Sequence, residues 1–279
     1  MTCRNSRVGA GPRATVPLLG PLDAPRLQGP PTGDGDERLR VGPVKLFADG
    51  GVLPAIGGHI DGHPIELGLV FDDLEAEVRS VVQHGFGIAV HAIGNRGAEA
   101  TLNAFEAAAR LRPDDEVLFR LEHATLLSRD QTQRMAGLGT VAVVQPGFLH
   151  HMGGAVEHFR LDESTWMPFG DLAEAGVVVA GSSDAPCAFH EPLLTAARGV
   201  TRVTSKGTVL DASQSLPYGD WLRAYTVDAA RAGGQENDRG RLTAGLQADL
   251  VLLEGLLDPV DPPKVSETWV AGERVFALS

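Results

Sequence analysis

Phe86-Gly-Ile-Ala-Val-His91 is a short apolar run that ends on an imidazole, and its design recurs downstream. Val117-Leu-Phe-Arg-Leu-Glu-His123 ends on a second histidine, and Val177-Val-Val-Ala-Gly-Ser-Ser-Asp184 ends on an aspartate. An earlier run, Val44-Lys-Leu-Phe-Ala-Asp49, carries Lys45. Short β-branched runs of this kind fit strands of a parallel sheet covered on both faces. A parallel strand delivers the side chain at its C-terminal end into a cleft.

Outward from these runs the pattern turns helical. Asp72 to His84 places Leu74, Val78, Val81 and Val82 on one face, with Asp72 as the expected N-cap and Gly85 just past the end. Arg96 to Leu111 is rich in alanine and stops before Pro113, and Ser128-Arg-Asp-Gln131 has the form of a capping box opening a helix to Leu138. Val141 to Gln145 reads as a further strand, and Pro168 to Ala175, Pro192 to Val203 and Tyr218 to Ala232 as further helices. Strands alternating with helices call for crossover connections and a parallel sheet. Chemistry-bearing residues at strand C-termini favour a (β/α) barrel over a doubly wound sheet, and no Gly-x-Gly-x-x-Gly follows the first strand.

The two ends differ from this middle. Residues 1–38 are rich in Pro, Gly and Arg without apolar periodicity, and are expected to form an irregular arm. Residues 39–236 form the barrel portion. Residues 237–279 read as a small β-rich module, with Ala271-Gly272-Glu273 as a hairpin tip.

At 279 residues and 43% hydrophobic content the chain can bury a large core. A formal charge of -12 argues against nucleic acid and against an acidic membrane surface as partners. No apolar run reaches the roughly 20 residues that span a bilayer. Arg4, Arg7 and Arg13 precede a stretch broken by Pro17 and Pro21, a poor secretory signal. Cys3 and Cys187 cannot build a disulfide framework, which fits a reducing, cytoplasmic setting. Cys187 follows Asp184 closely and is read as a small buried thiol rather than a nucleophile.

Two imidazoles and a carboxylate from separate strand ends suit a divalent metal, which can turn water into a nucleophile at neutral pH. Other readings stay open. His91 and His123 could be hydrogen-bonded core histidines. Lys45 could pair with Asp49 or Asp184, and Arg120 with Glu122 inside the sheet wall. Gln145 could bond substrate or support its loop. His150 and His151 read as loop residues, of which His151 is the candidate to touch substrate, and His59, His63 and His190 as residues of loops overhanging the cleft. Phe148, Trp166, Phe169 and Phe189 are expected near the pocket, where they would tolerate an apolar group.

Taken in order, His91-Ala-Ile-Gly-Asn95, Arg120-Leu-Glu-His-Ala124, Gln145-Pro146 and Gly181-Ser-Ser-Asp-Ala-Pro186 resemble strand-end motifs of the amidohydrolase superfamily. Val44-Lys-Leu-Phe-Ala-Asp-Gly50 is similar to the group that includes N-substituted formamide deformylases. Thr226-Val-Asp-Ala-Ala-Arg231, the glycine-flanked segment from Gly240 to Leu250, and Val270-Ala-Gly-Glu-Arg-Val275 resemble the superfamily's closing helix and small β-sandwich. The resemblance implies an α/β fold built on a (β/α)8 barrel, and a hydrolase of non-peptide C–N bonds in small amide-like substrates. It implies one or two divalent ions, zinc by donor type, held by His91, His123 and Asp184, with Lys45 bridging if carbamylated. Asp184 would also act as general base; Gln145 and His151, read from the residues themselves, are the candidates to meet substrate.

Two departures follow. The superfamily carries a His-x-His pair after its first strand, and this sequence holds none. The chain is therefore read as strands four through eight of the barrel plus part of the sandwich. That reading leaves a homo-oligomer, a missing N-terminal part, an inactive remnant or interaction module, and one half of a split enzyme as alternatives. Asn95 also stands where the pattern usually has Asp, which would weaken any support it gives His91.

Overall fold

The computed structural model describes residues 14–19, 29–36, 39–111 and 117–278. Its centre is a six-stranded parallel sheet. Strands β1 (Ala14–Leu19) and β2 (Leu39–Phe47) lead into a two-stranded hairpin, β3 (Ile56–Ile60) and β4 (His63–Leu67). Helix α1 (Leu74–Gln83) then gives way to β5 (Ile88–Ala92), α2 (Asn95–Ala109) and β6 (Phe119–His123). The short β7 (Leu126–Leu127) precedes α3 (Arg129–Gly137), β8 (Val141–Val144), α4 (Phe148–His151) and α5 (Gly153–Val156). After β9 (Thr165–Trp166) come α6 (Phe169–Glu174), β10 (Val179–Gly181), α7 (Pro192–Thr201), α8 (Tyr218–Ala224) and α9 (Val227–Ala232). The chain closes on an antiparallel sheet of β11 (Leu250–Glu254), β12 (Lys264–Val270) and β13 (Glu273–Ala277).

The large sheet runs β1-β2-β5-β6-β8-β10, each strand laid beside the preceding parallel one, as in the wall of a barrel. Every residue of β5 and β8 is buried. Helices cover one face: Val78, Val81 and Val82 of α1, Leu102 and Phe105 of α2, and Met135 of α3 join Ile88, Val90 and Leu121 in one apolar cluster. Burying one such Leu or Ile side chain is worth about 1.5–3 kcal/mol before entropy is counted. The Ser128 capping box is present: Gln131 N donates to Ser128 Oγ at 3.2 Å, and Ser128 N donates to Gln131 Oε1 at 3.0 Å. Before α1, Asp73 holds the N-cap position in place of Asp72, with φ 64 and no side-chain cap.

Five parallel strands were expected, and the sheet has a sixth. Ala14–Leu19, inside the stretch expected to be irregular, pairs parallel with β2, with a register shift between Val16 and Leu18. The run Ala-Thr-Val-Pro-Leu-Leu is apolar enough for a strand. Its Pro17 lacks an N–H, a defect that an edge strand tolerates by bulging. Cys3 and Pro113 fall outside the described residues. Among the described residues, no helix is long and apolar enough to cross a membrane.

Arg202 ties the later segments together. It is fully buried and left-handed (φ 52) at the end of α7. Its guanidinium donates to the carbonyls of Leu210 at 2.6 Å and Met167 at 3.1 Å.

Candidate functional site

Parallel strands that share one direction end at one rim, so their last residues converge. Lys45, His91, His123, Gln145, His151 and Asp184 all line a single cavity of about 700 Å³ at that rim. The other walls include Phe47, Val52, Ile93, Phe148 and Met152, with Arg120 and with Glu122, which is in register with His91.

The two imidazoles lie against each other, ring centroids 4.4 Å apart and nearly perpendicular. Along a strand His123 and Glu122 would face opposite ways. Both reach the cavity because His123 leaves the strand in a left-handed conformation (φ 74), followed by Ala124 (φ 45). Asp184 is likewise left-handed (φ 51). Such backbone in non-glycine residues costs on the order of 1 kcal/mol each and gathers where a site demands a direction.

Burial holds both histidines neutral. The His91 imidazole is pushed down to about 3 by desolvation, then by its neighbours His123 and Lys45. His123 also falls below the ordinary range, chiefly through burial, against the pull of its bond to Gln145. Gln145 Nε2 donates to Val143 O at 3.2 Å, which fixes the amide with its oxygen toward His123 Nδ1 at 2.9 Å. His123 therefore carries its proton on Nδ1 and keeps a lone pair on Nε2. Gln145 was expected to meet substrate; its first partners are protein groups.

The Lys45 ammonium makes no ion pair or hydrogen bond among the described residues. Its Nζ sits 4.0 Å from the centroid of the Phe47 ring. Burial lowers its pKa, opposed by the charges of Glu122 and Asp184. Arg120 and Glu122 do pair, at 2.7 Å, and Arg120 also donates to Ala232 O at 3.0 Å.

Asp49 is the residue the sequence undervalued. It was weighed only as a partner for Lys45, yet it is fully buried and accepts from three backbone amides. Its Oδ2 takes Ala55 N at 3.0 Å and Gly94 N at 2.8 Å, and its Oδ1 takes Ile93 N at 3.1 Å. The same Oδ1 stands 3.6 Å from His91 Nε2. Asn95 faces the other way: it bonds Gly57 through N and O and Ser164 Oγ, anchoring β3. Its loss of charge therefore leaves His91 untouched by any direct bond.

Other expectations sort as follows. Cys187 is exposed rather than buried, because the loop after β10 carries it out to the cavity wall. The Asp184 charge raises its thiol pKa, so it is a poor nucleophile. His150 and His151 sit on the short helix α4, and His151 packs on Phe189 at 4.8 Å. His59 and His63 belong to the β3–β4 hairpin, and neither they nor His190 lines the cavity. Trp166 and Phe169 are core residues; of the four aromatic candidates, Phe148 faces the cavity.

A pair of neutral, abutting imidazoles is a donor set that zinc and its neighbours favour. The remaining donors are less gathered. Among the described residues, no group of three or more His, Cys, Asp or Glu side chains closes tightly enough to hold a metal ion. The two imidazoles are donors of the type a divalent ion takes, and Asp184 and Lys45 line the same cavity without closing on them.

Comparison with known proteins gives these arrangements a context. A sequence profile of the amidohydrolase family matches residues 10–276. The chain is 33% identical over 231 residues to an N-substituted formamide deformylase from Arthrobacter pascens, covering 80% of this chain and 42% of that protein. Two crystal structures of uncharacterized metal-dependent hydrolases superpose with TM-scores of 0.63, one from Pyrococcus horikoshii OT3 (27% identity) and one from Pyrococcus furiosus (25%). Each covers 78% of this chain and 45% of the solved chain. The chain therefore spans less than half the length of these relatives.

Proposed function

The chain belongs to the amidohydrolase family, and from that premise we propose that it serves a metal-dependent hydrolase cleaving non-peptide C–N bonds of small amide-like substrates. The observation that carries this reading is the abutting, burial-neutralised pair His91 and His123 on the wall of the cavity of about 700 Å³. Those imidazoles would hold a divalent ion, zinc by donor type, with Asp184 as the carboxylate donor and Lys45 as a further oxygen donor if carbamylated. When bound, such an ion supplies Lewis acidity, which lowers the pKa of water and polarises a carbonyl.

The protein's own groups would do the rest. Asp184, exposed on the cavity wall, accepts a proton on its carboxylate and passes it to the departing amine. Gln145 keeps His123 in the Nδ1–H form, which leaves the Nε2 lone pair free for a metal. His151 lies at the rim, where it can meet the substrate. Phe47, Val52, Phe148 and Met152 give the amine side of the substrate an apolar wall. The likeness to an N-substituted formamide deformylase supports formamides as first substrates to try. The two cysteines without a disulfide framework support a cytoplasmic setting.

Amine release from a panel of N-substituted formamides, with zinc added and then chelated, tests the reading. Turnover that vanishes with chelator and in Asp184→Asn is expected. Failure of the zinc-loaded chain to release amine from the whole panel would overturn it for this chain. The looseness of the donor set favours one second reading, in which another chain completes the site. Activity that appears only on adding a second polypeptide would select it.

A further inference from the structure

We infer that Asp49 is a positioning residue for His91, holding its imidazole as the Nε2–H tautomer so that the lone pair on Nδ1 is the one offered to a ligand. A carboxylate has about four lone-pair directions for hydrogen bonds. Three of them on Asp49 are taken by the amides of Ala55, Ile93 and Gly94. The fourth belongs to Oδ1, which stands 3.6 Å from His91 Nε2. That nitrogen is buried and has no hydrogen-bond partner. A buried ring nitrogen without a partner and a carboxylate oxygen with one direction left stand just beyond hydrogen-bond length of each other.

The surroundings are cut to hold the carboxylate still. A Cβ on Gly97, in the first turn of α2, would lie 2.7 Å from Asp49 Cγ, so only glycine lets the helix come this close. Ile93 and Gly94 lie at the N-terminal end of α2, where amides point outward without intrahelical partners. Ala55 N pulls the Gly50–Ala55 loop onto the same carboxylate. One side chain thus fixes a strand end, a loop and a helix start around His91. A residue so constrained has a single orientation to give.

The ligand half of this inference rests on the hydrolase reading above; the tautomer half does not. Long-range proton–nitrogen correlation spectra of the metal-free, 15N-histidine-labelled full chain, with His91 assigned by comparison with His91→Gln, measure the tautomer directly. Nε2 protonated and Nδ1 bare in the wild type is the expected result. His91 protonated on Nδ1 would overturn the inference, whatever the activity. Asp49→Asn should then mix the two tautomers and weaken binding of Zn²⁺ alone, measured by competition with a chelator, about 10- to 100-fold. An Asp49→Asn protein that keeps a wild-type tautomer and zinc affinity would also overturn it. A protein with the expected tautomer that hydrolyses no amide removes the hydrolase reading and leaves Asp49 in its place.

Discussion

β8 buries all four of its residues, while β13 exposes all five. β8 is Val-Ala-Val-Val, whereas β13 opens on Glu273 and Arg274, yet even its apolar Val275, Phe276 and Ala277 stay exposed, so composition alone did not decide their fates. β8 lies between two parallel neighbours and under helices, and its valines pack on both faces. β13 is the margin of a three-stranded antiparallel sheet whose Val251, Leu252, Val275 and Phe276 stay 44–52% exposed. Burial, and with it stability and chemistry, is a property of what covers a strand. The candidate site sits where that covering ends, joining the buried His91 and His123 to the exposed Asp184.

That contrast can be broken experimentally. The largest effect belongs to chemistry at the rim: Asp184→Asn should lower kcat/KM by about 10²- to 10⁴-fold in an amide-hydrolysis assay. Because Asp184 is exposed, its denaturation midpoint should hardly move. A comparable loss of stability would mean that the rim and the core are not separable. Next comes the core itself. Leu121 in β6 is fully buried, and Leu121→Ala should cost about 2–5 kcal/mol in urea unfolding.

Acid sharpens the contrast further. His91 titrates near 3 when folded, against 6.5 for a free imidazole. Between those values the unfolded chain takes up a proton that the native chain refuses, so acid favours unfolding. This contribution is intact above pH 6.5 and is lost as the pH falls toward 3, at up to about 1.4 kcal/mol per pH unit. The slope, read from urea midpoints across that range, should flatten in His91→Gln. The smallest effect is expected in the C-terminal sheet. Phe276→Ala should cost less than about 1 kcal/mol, and a core-sized loss there would show that the exposed sheet is covered in solution.

Much of this was legible in the sequence. The runs ending at His91, His123 and Asp184 gave the parallel strands, because apolar runs of strand length between helical periods admit few other folds. Ser128 and Gln131 gave a helix start, because the capping box is a local exchange of two hydrogen bonds. What escaped depended on partners distant in the chain. β1 hid in a proline-rich stretch, since its pairing comes from β2 rather than from its own periodicity. The left-handed turn at His123 hid behind an ordinary strand sequence. Asp49 was hidden most deeply: its three amide partners come from two loops, one of them more than forty residues on. Its only local signal was an aspartate before Gly50 at a strand end, which resembles any turn.

The sheet's two margins have one more consequence. An exposed margin of a parallel sheet is a template onto which an extended chain could stack. Here one margin, β1, is kinked at Pro17, where the backbone has no N–H to give, and the other, β10, is only three residues long. Neither offers a straight ladder of donors and acceptors. Both described margins thus present few regular donors and acceptors to an added strand.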